Sequence, residues 1–113
     1  MSSMKQYETT SLSPQVLNRL GISQAAGKLA SGEQVMKSIR SKDAKLVIIA
    51  SDASDRTKKQ LTNKCTFYNI QFVISFTIAE LSHAIGKTNR VAVSILDSRF
   101  AKMILKENEE VML

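Results

Sequence analysis

Cysteine occurs once in this chain, at Cys65, and histidine once, at His83. A lone cysteine rules out an internal disulfide framework, and a lone histidine rules out a His-rich metal site. No metal-type spacing surrounds Cys65, a usage typical of intracellular chains. No GxxxxGK[ST] or GxGxxG phosphate loop occurs. No apolar run approaches the roughly 20 residues of a membrane span, and residues 1–13 lack the apolar centre of a signal peptide. The expected compartment is cytoplasmic, with no membrane partner. A Cys65–His83 pair survives counting alone. However, Cys65 falls in register with Leu61 on an inferred buried stripe and reads as an inert core thiol. His83 lies off the apolar stripe of its helix and reads as a solvated surface residue. A Ser–His83–Asp triad can be drawn but nothing supports it. The chain reads as non-enzymatic, with no metal and no cofactor.

Positive charge is what the chain has in excess. A net charge of +6 on 113 residues favours a polyanionic partner over an acidic one. The basic residues concentrate between positions 19 and 64, whereas Glu107, Glu109 and Glu110 crowd the end. With 43% hydrophobic residues, this length predicts one domain, with a radius of gyration of roughly 13 Å.

Residues 1–12 are rich in Ser and Thr and predict a flexible N-terminal arm, ahead of a single domain over 13–113. Ser13-Pro14 resembles a helix start. Val16, Leu17, Leu20, Ala25 and Leu29 supply an apolar stripe that Gly21 is expected to bend or break, and Ser31-Gly32 closes the segment. A helix over 33–41 follows. At about 100° per residue it gathers Val35, Met36 and Ile39 on one side and Glu33, Gln34, Lys37 and Arg40 on the other. Residues 46–50 are continuously aliphatic, as in a strand covered on both faces. Ser51 to Asp55 is dense in capping residues and leads into a basic helix. There Thr57, Leu61, Cys65 and Tyr68 share one face and Lys58, Lys59 and Lys64 point outward, a solvated face rather than an RNA groove. Residues 72–74 form a second strand. Thr77 and Glu80 have capping-box spacing and open a helix that buries Ile78, Leu81 and Ile85 and ends at Gly86. A basic loop, Lys87-Thr88-Asn89-Arg90, precedes a strand over 91–96. Asp97-Ser98 then caps a last helix with Phe100, Met103 and Ile104 on one face, and Glu107 to Glu110 are expected past the helix or in its frayed end. This alternation predicts an α/β fold, a sheet of about four strands between two helix layers.

Three segments could converge at one end of such a sheet: the 31–40 helix start, the Asp52 to Asp55 turn and the 87–93 loop. Amides at the helix start would attract a phosphate, with charge added by Lys37 and Arg40, while Glu33 and Gln34 could hydrogen-bond base edges. Each feature also has a plain structural reading. Gln34 could complete a capping box with Ser31, and Glu33 with Lys37 could be a surface pair worth about 0.3–0.5 kcal/mol.

The same residues carry a resemblance. From Gly27 to Ile104 the chain resembles the kink-turn RNA-binding family of large-subunit ribosomal proteins seven-Ae and thirty-e, nearest to its small bacterial members of the YlxQ and YbxF type. The matching pieces are Lys28-Leu29-Ala30-Ser31-Gly32-Glu33 leading to Lys37, Ala44 through Ser54, Asn63-Lys64-Cys65, Glu80-Leu81, Ile85-Gly86-Lys87 and Arg90-Val91-Ala92-Val93. The resemblance implies an α/β/α sandwich around a mixed four-stranded sheet, and binding to a sharply bent RNA with tandem sheared G·A pairs. The family motif is Asn-Glu, two residues, then Lys at a helix start. Counting back from Lys37 puts Glu33 where Asn is usual and Gln34 where Glu is usual. The family's apolar loop, which packs beside splayed bases, maps onto Arg90-Val91-Ala92 and is about one residue shorter; its acidic group after the second strand falls near Ser54. The implied interface is Lys28, Gly32, Glu33, Gln34, Lys37, Arg40, Ser54, Lys87, Arg90, Val91 and Ala92. Its partner would be a kink-turn in ribosomal or non-coding RNA, with ribosomal proteins as further partners and a monomer when free. The alternative is a protein-interaction module of the same fold that has lost specific RNA binding; Glu33 and the shorter loop favour it.

Overall fold

An uninterrupted aliphatic run needs cover on both faces, and Leu46, Val47, Ile48 and Ile49 are all fully buried. In the computed structural model, which describes the backbone of residues 12–112 and side chains through 106, this run is a central strand. The elements are α1 (Gln15–Ala25), β1 (Leu29–Ser31), α2 (Glu33–Arg40), β2 (Leu46–Ile49), α3 (Asp55–Phe67), β3 (Phe72–Ile74), α4 (Ile78–Ala84), β4 (Ala92–Ile95) and α5 (Ser98–Met112). The sheet order is β1-β4-β2-β3. β4 runs antiparallel to both β1 and β2, and β2 pairs parallel with β3.

Strand alternation sorts the core into two halves. Leu46, Ile48, Val93 and Ile95 pack with Val16, Leu20, Leu81 and Ile104 of α1, α4 and α5. Val47, Ile49, Phe72 and Ala92 pack on the other face with Val35, Ile39, Leu61 and Cys65 of α2 and α3. The expected α/β/α sandwich around a mixed four-stranded sheet is therefore the fold found, with a radius of gyration of 12.6 Å. Each fully buried Leu, Ile or Val side chain contributes about 1.5–3 kcal/mol.

Several local expectations are corrected. Leu29 does not extend the first helix, and Ser31 does not close it. α1 stops at Ala25, because Gly27 takes φ +73° and the Gly27 and Lys28 amides donate to the Gln24 and Ser23 carbonyls at 3.1 and 2.8 Å. Leu29 then opens β1, a strand that the stripe had concealed. Gly21 does not break α1, which runs through it. A Cβ there would sit 3.0 Å from the Ala84 carbonyl oxygen, so the glycine lets α1 approach α4 closely. Leu12, placed at the end of the expected arm, is buried, and its amide donates to Ser75 Oγ at 3.0 Å; the rest of that arm, residues 1–11, lies outside the described residues. Met103, expected on the buried face, is 38% exposed. The last helix does not end before Glu107 but continues to Met112.

At α1 the N-cap is Pro14, with no side-chain cap, rather than Ser13, whereas the signals around α4 and at the start of α5 behave as read. Thr77 and Glu80 form a capping box, and the Gly86 and Lys87 amides close α4 on the His83 and Ser82 carbonyls at 3.2 and 2.9 Å. Asp97 Oδ1 accepts the Arg99 and Phe100 amides at 2.8 and 3.3 Å. The Arg99 amide is the largest cause holding the Asp97 carboxyl below its usual pKa; desolvation, next in size, opposes it, and the Phe100 amide and the charges of Arg99 and Lys28 complete the lowering.

Candidate nucleic-acid interface

The start of α2 stands at the sheet end where β1 finishes and β4 begins, since Ser31 pairs with Val93. Val35 and Ile39 anchor the helix to the sheet. Behind them the buried Ser38 hydroxyl is hydrogen-bonded to the Val35 carbonyl at 2.7 Å and to the Ser94 hydroxyl of β4 at 2.8 Å. Two small hydroxyls at inward positions of a helix and a strand were the available signal for this pair. The arrangement sets the angle of the helix and leaves Glu33, Gln34, Lys37 and Arg40 exposed.

Neither plain reading of the helix start holds. Its N-cap is Gly32, at φ 63° and ψ −137°, with no side chain capping the first turn. Gln34 therefore completes no capping box with Ser31. Among the described residues Glu33 and Lys37 form no ion pair. The Val35 amide reaches the Gly32 carbonyl at 3.1 Å, while the amides of Glu33 and Gln34 have no acceptor among the described residues. First-turn donors and the positive end of the helix dipole thus face outward.

The 87–93 loop comes to this tip. Arg90 Nε donates to Ser31 Oγ at 3.2 Å, and its guanidinium lies 3.7 Å from where a Cβ on Gly32 would be. Buried Ser82 pins the loop at both ends: its carbonyl accepts the Lys87 amide at 2.9 Å and its hydroxyl accepts the Arg90 amide at 2.7 Å. Arg90 Nη1 also donates to the Thr88 carbonyl at 3.2 Å. Sequence reading missed Ser82, whose position between Leu81 and Ile85 on a buried stripe was the only hint.

Gly32, Val35 and Met36 of α2 and its N-cap, Thr57 and Gln60 of α3, and Val91 and Ala92 are among the residues lining a groove of about 170 Å³ beside the tip. Thr57 and Gln60 were not foreseen there. Val91 is half-buried and available at its edge, but Ala92, expected to cover a base, is buried and forms only the groove floor.

The 52–55 turn divides between layers. Asp52 Oδ1 accepts the Ile78 amide at 2.8 Å, tying its first half to α4. Ser54 caps α3, accepting the Thr57 amide at 3.1 Å, one turn from the groove. Lys58 Nζ donates to the Ser51 carbonyl at 3.0 Å. Lys28 does not join the cluster. It precedes β1 at the opposite end of the strand, beside Asp97, roughly 10 Å from Ser31. Arg40 shares the exposed face of α2 about 10 Å down the helix from Glu33.

Cys65 and His83 belong to opposite layers. Cys65 lies among α2- and α3-side core residues, where burial pushes its thiol up to about 12, and His83 is exposed on α4 across the sheet. A nucleophilic pair is ruled out by that separation.

The family model for the ribosomal protein L7Ae/L30e/S12e/Gadd45 family matches residues 15–105. The chain belongs to this family. It is 40% identical over 87 residues to the RNA-binding protein YlxQ of Bacillus subtilis (strain 168), covering 76% of this chain and 87% of that protein. It is 39% identical over 87 residues to the RNA-binding protein YlxQ of Enterococcus faecium, covering 76% and 84%. A solved structure of a protein with unknown function from Bacillus halodurans C superposes with a TM-score of 0.79 at 34% identity, over 86% of this chain and 99% of that one. A Giardia lamblia 15.5kD RNA binding protein shares the fold, with a TM-score of 0.70 at 20% identity over 87% and 85% of the two chains. The family region runs from the start of α1 into the first half of α5 and takes in both the α2 tip and the 87–93 loop.

Proposed function

We propose that this member of the family binds structured RNA, and that its preferred element is a kink-turn in ribosomal or another non-coding RNA. The observation that carries the reading is the start of α2: uncapped, exposed and flanked by the Arg90 guanidinium. Relatives near 40% identity are RNA-binding proteins. In this mechanism the tip enters the widened groove of a bent RNA. The free amides of α2 and the charges of Lys37, Lys87 and Arg90 meet phosphates. The Gln34 carbonyl accepts from guanine amino groups, and the Glu33 carboxylate, which accepts only, selects exposed base amino groups. Val91 covers an unstacked base. Because only the kinked form offers these contacts together, binding selects it from a flexible ensemble.

A gel shift with a kink-turn RNA and a control with disrupted G·A pairs tests this. The kink-turn should bind at least tenfold more tightly, and equal affinity would overturn the reading. Lys37→Ala should lower the slope of log affinity against log salt by roughly 0.7–0.9. Glu33, a carboxylate at the position where the family has an amide, favours a second reading, a protein-docking module. A complex that resists nuclease and is lost on Glu33→Ala would support that reading instead.

A further inference from the structure

The groove beside the α2 tip does not end there. It shares Met36 and Gln60 with a second opening of about 460 Å³ further along α3, lined also by Asn63, Lys64 and Phe67. We propose that this continuation is a second RNA-contacting surface, a track for a single-stranded stretch adjoining the structured element, with Phe67 as the platform for an unpaired base. It rests on the RNA-binding reading above and extends it to residues that reading does not use.

Phe67 is 77% exposed at the last position of α3. The Tyr68 ring meets it edge-to-face, with centroids 4.9 Å apart at 82°, which steadies the ring and leaves most of it uncovered. Base stacking on an aromatic ring buries such a surface without demanding a particular base. The lining holds no carboxylate. Gln60 and Asn63 offer amide donors and acceptors, and Lys64 offers charge. Of the acids on the two helices, Glu33 sits at the tip and Asp55 at the α3 start, 4.0 Å from Lys58. A polyanion fits this pattern better than an acidic or purely apolar partner. From Thr57 to Phe67 the helix rises about 15 Å, room for a short single-stranded stretch of a few nucleotides. Lys64 thus moves from an expected solvated face to a contact residue.

The test measures the affinity of the full chain for a kink-turn RNA with blunt ends and for the same RNA with a five-uridine extension on either strand. One extension should tighten binding by about tenfold, the order of one base–aromatic stack. Phe67→Ala and Lys64→Ala should remove that gain while leaving blunt-RNA affinity and thermal melting unchanged, and Phe67→Trp should keep it. No gain from either extension, or equal loss on blunt and extended RNA with Phe67→Ala, overturns the proposal. So does a nuclease-resistant protein complex that Phe67→Ala abolishes. If disrupting the G·A pairs changes nothing while Phe67→Ala still removes the gain, the kink-turn reading fails and the track stands.

Discussion

At the start of α4, the Thr77 hydroxyl accepts the Glu80 amide at 3.1 Å, Glu80 accepts the Thr77 amide at 2.9 Å, and Asp52 takes the Ile78 amide at 2.8 Å from 26 residues away. At the start of α2, the N-cap is a glycine and no side chain meets the first turn. Both helices begin with the same unpaired donors. One satisfies them within the chain and gains stability; the other leaves them for solvent or a ligand. Charge divides along the sheet instead, with Arg90 drawn over Gly32 where β4 begins and Asp97 capping α5 where β4 ends. A helix start that looks under-optimised for folding is therefore the place to look for binding.

The comparison breaks most visibly under Gln34→Ala combined with Lys37→Ala. Kink-turn affinity should fall about 10- to 100-fold, while the free energy of urea unfolding stays within about 0.5 kcal/mol of the parent, because both side chains are exposed. Unchanged binding would remove the α2 tip from the interface. Gly32→Ala should cost about 1–3 kcal/mol in urea unfolding, since φ 63° with ψ −137° lies close to a region only glycine occupies easily. The space there is sufficient, so the strain comes from the backbone, and tip geometry and RNA affinity should suffer with it.

Thr77→Ala sharpens the contrast from the other side. It should cost about 1 kcal/mol of stability and leave RNA affinity unchanged, the inverse of the tip variant. Asp97 gives the smallest effect. Its folded pKa is depressed, so its contribution is present above the unfolded value and is lost as pH falls through the folded one. The stability advantage of the parent over Asp97→Asn should therefore shrink as pH drops below the usual carboxylate range. Parallel urea-midpoint curves would contradict that capping role.

Signals confined to a few consecutive residues were legible. The period of Val35, Met36 and Ile39 placed α2 and its exposed face. The Thr77–Glu80 spacing, the Asp97 cap and Gly86 marked helix ends, and the aliphatic run marked the central strand. β1 was lost because three half-buried residues have too little period to separate from the helix before them, and Gly27 was the stop signal left unused. Met103 was misplaced, and the position of Lys28 at the far end of β1 from the tip was not foreseen, because a face or a charge says nothing of what lies opposite it.

Helix and strand periods, caps and turn residues act over one to four positions, so the order of letters alone settled the α/β alternation, the two-sided burial of β2 and the outward face of α2. Everything that makes the interface a single surface acts over distance. Arg90 meets Ser31 59 positions away and Ser38 meets Ser94 56 positions away. β1 takes its place only because β4 returns beside it. Such contacts exist only once the sheet has ordered the strands, so the folded chain alone decided that the α2 tip, the 87–93 loop and the α3 groove would share one end of the molecule.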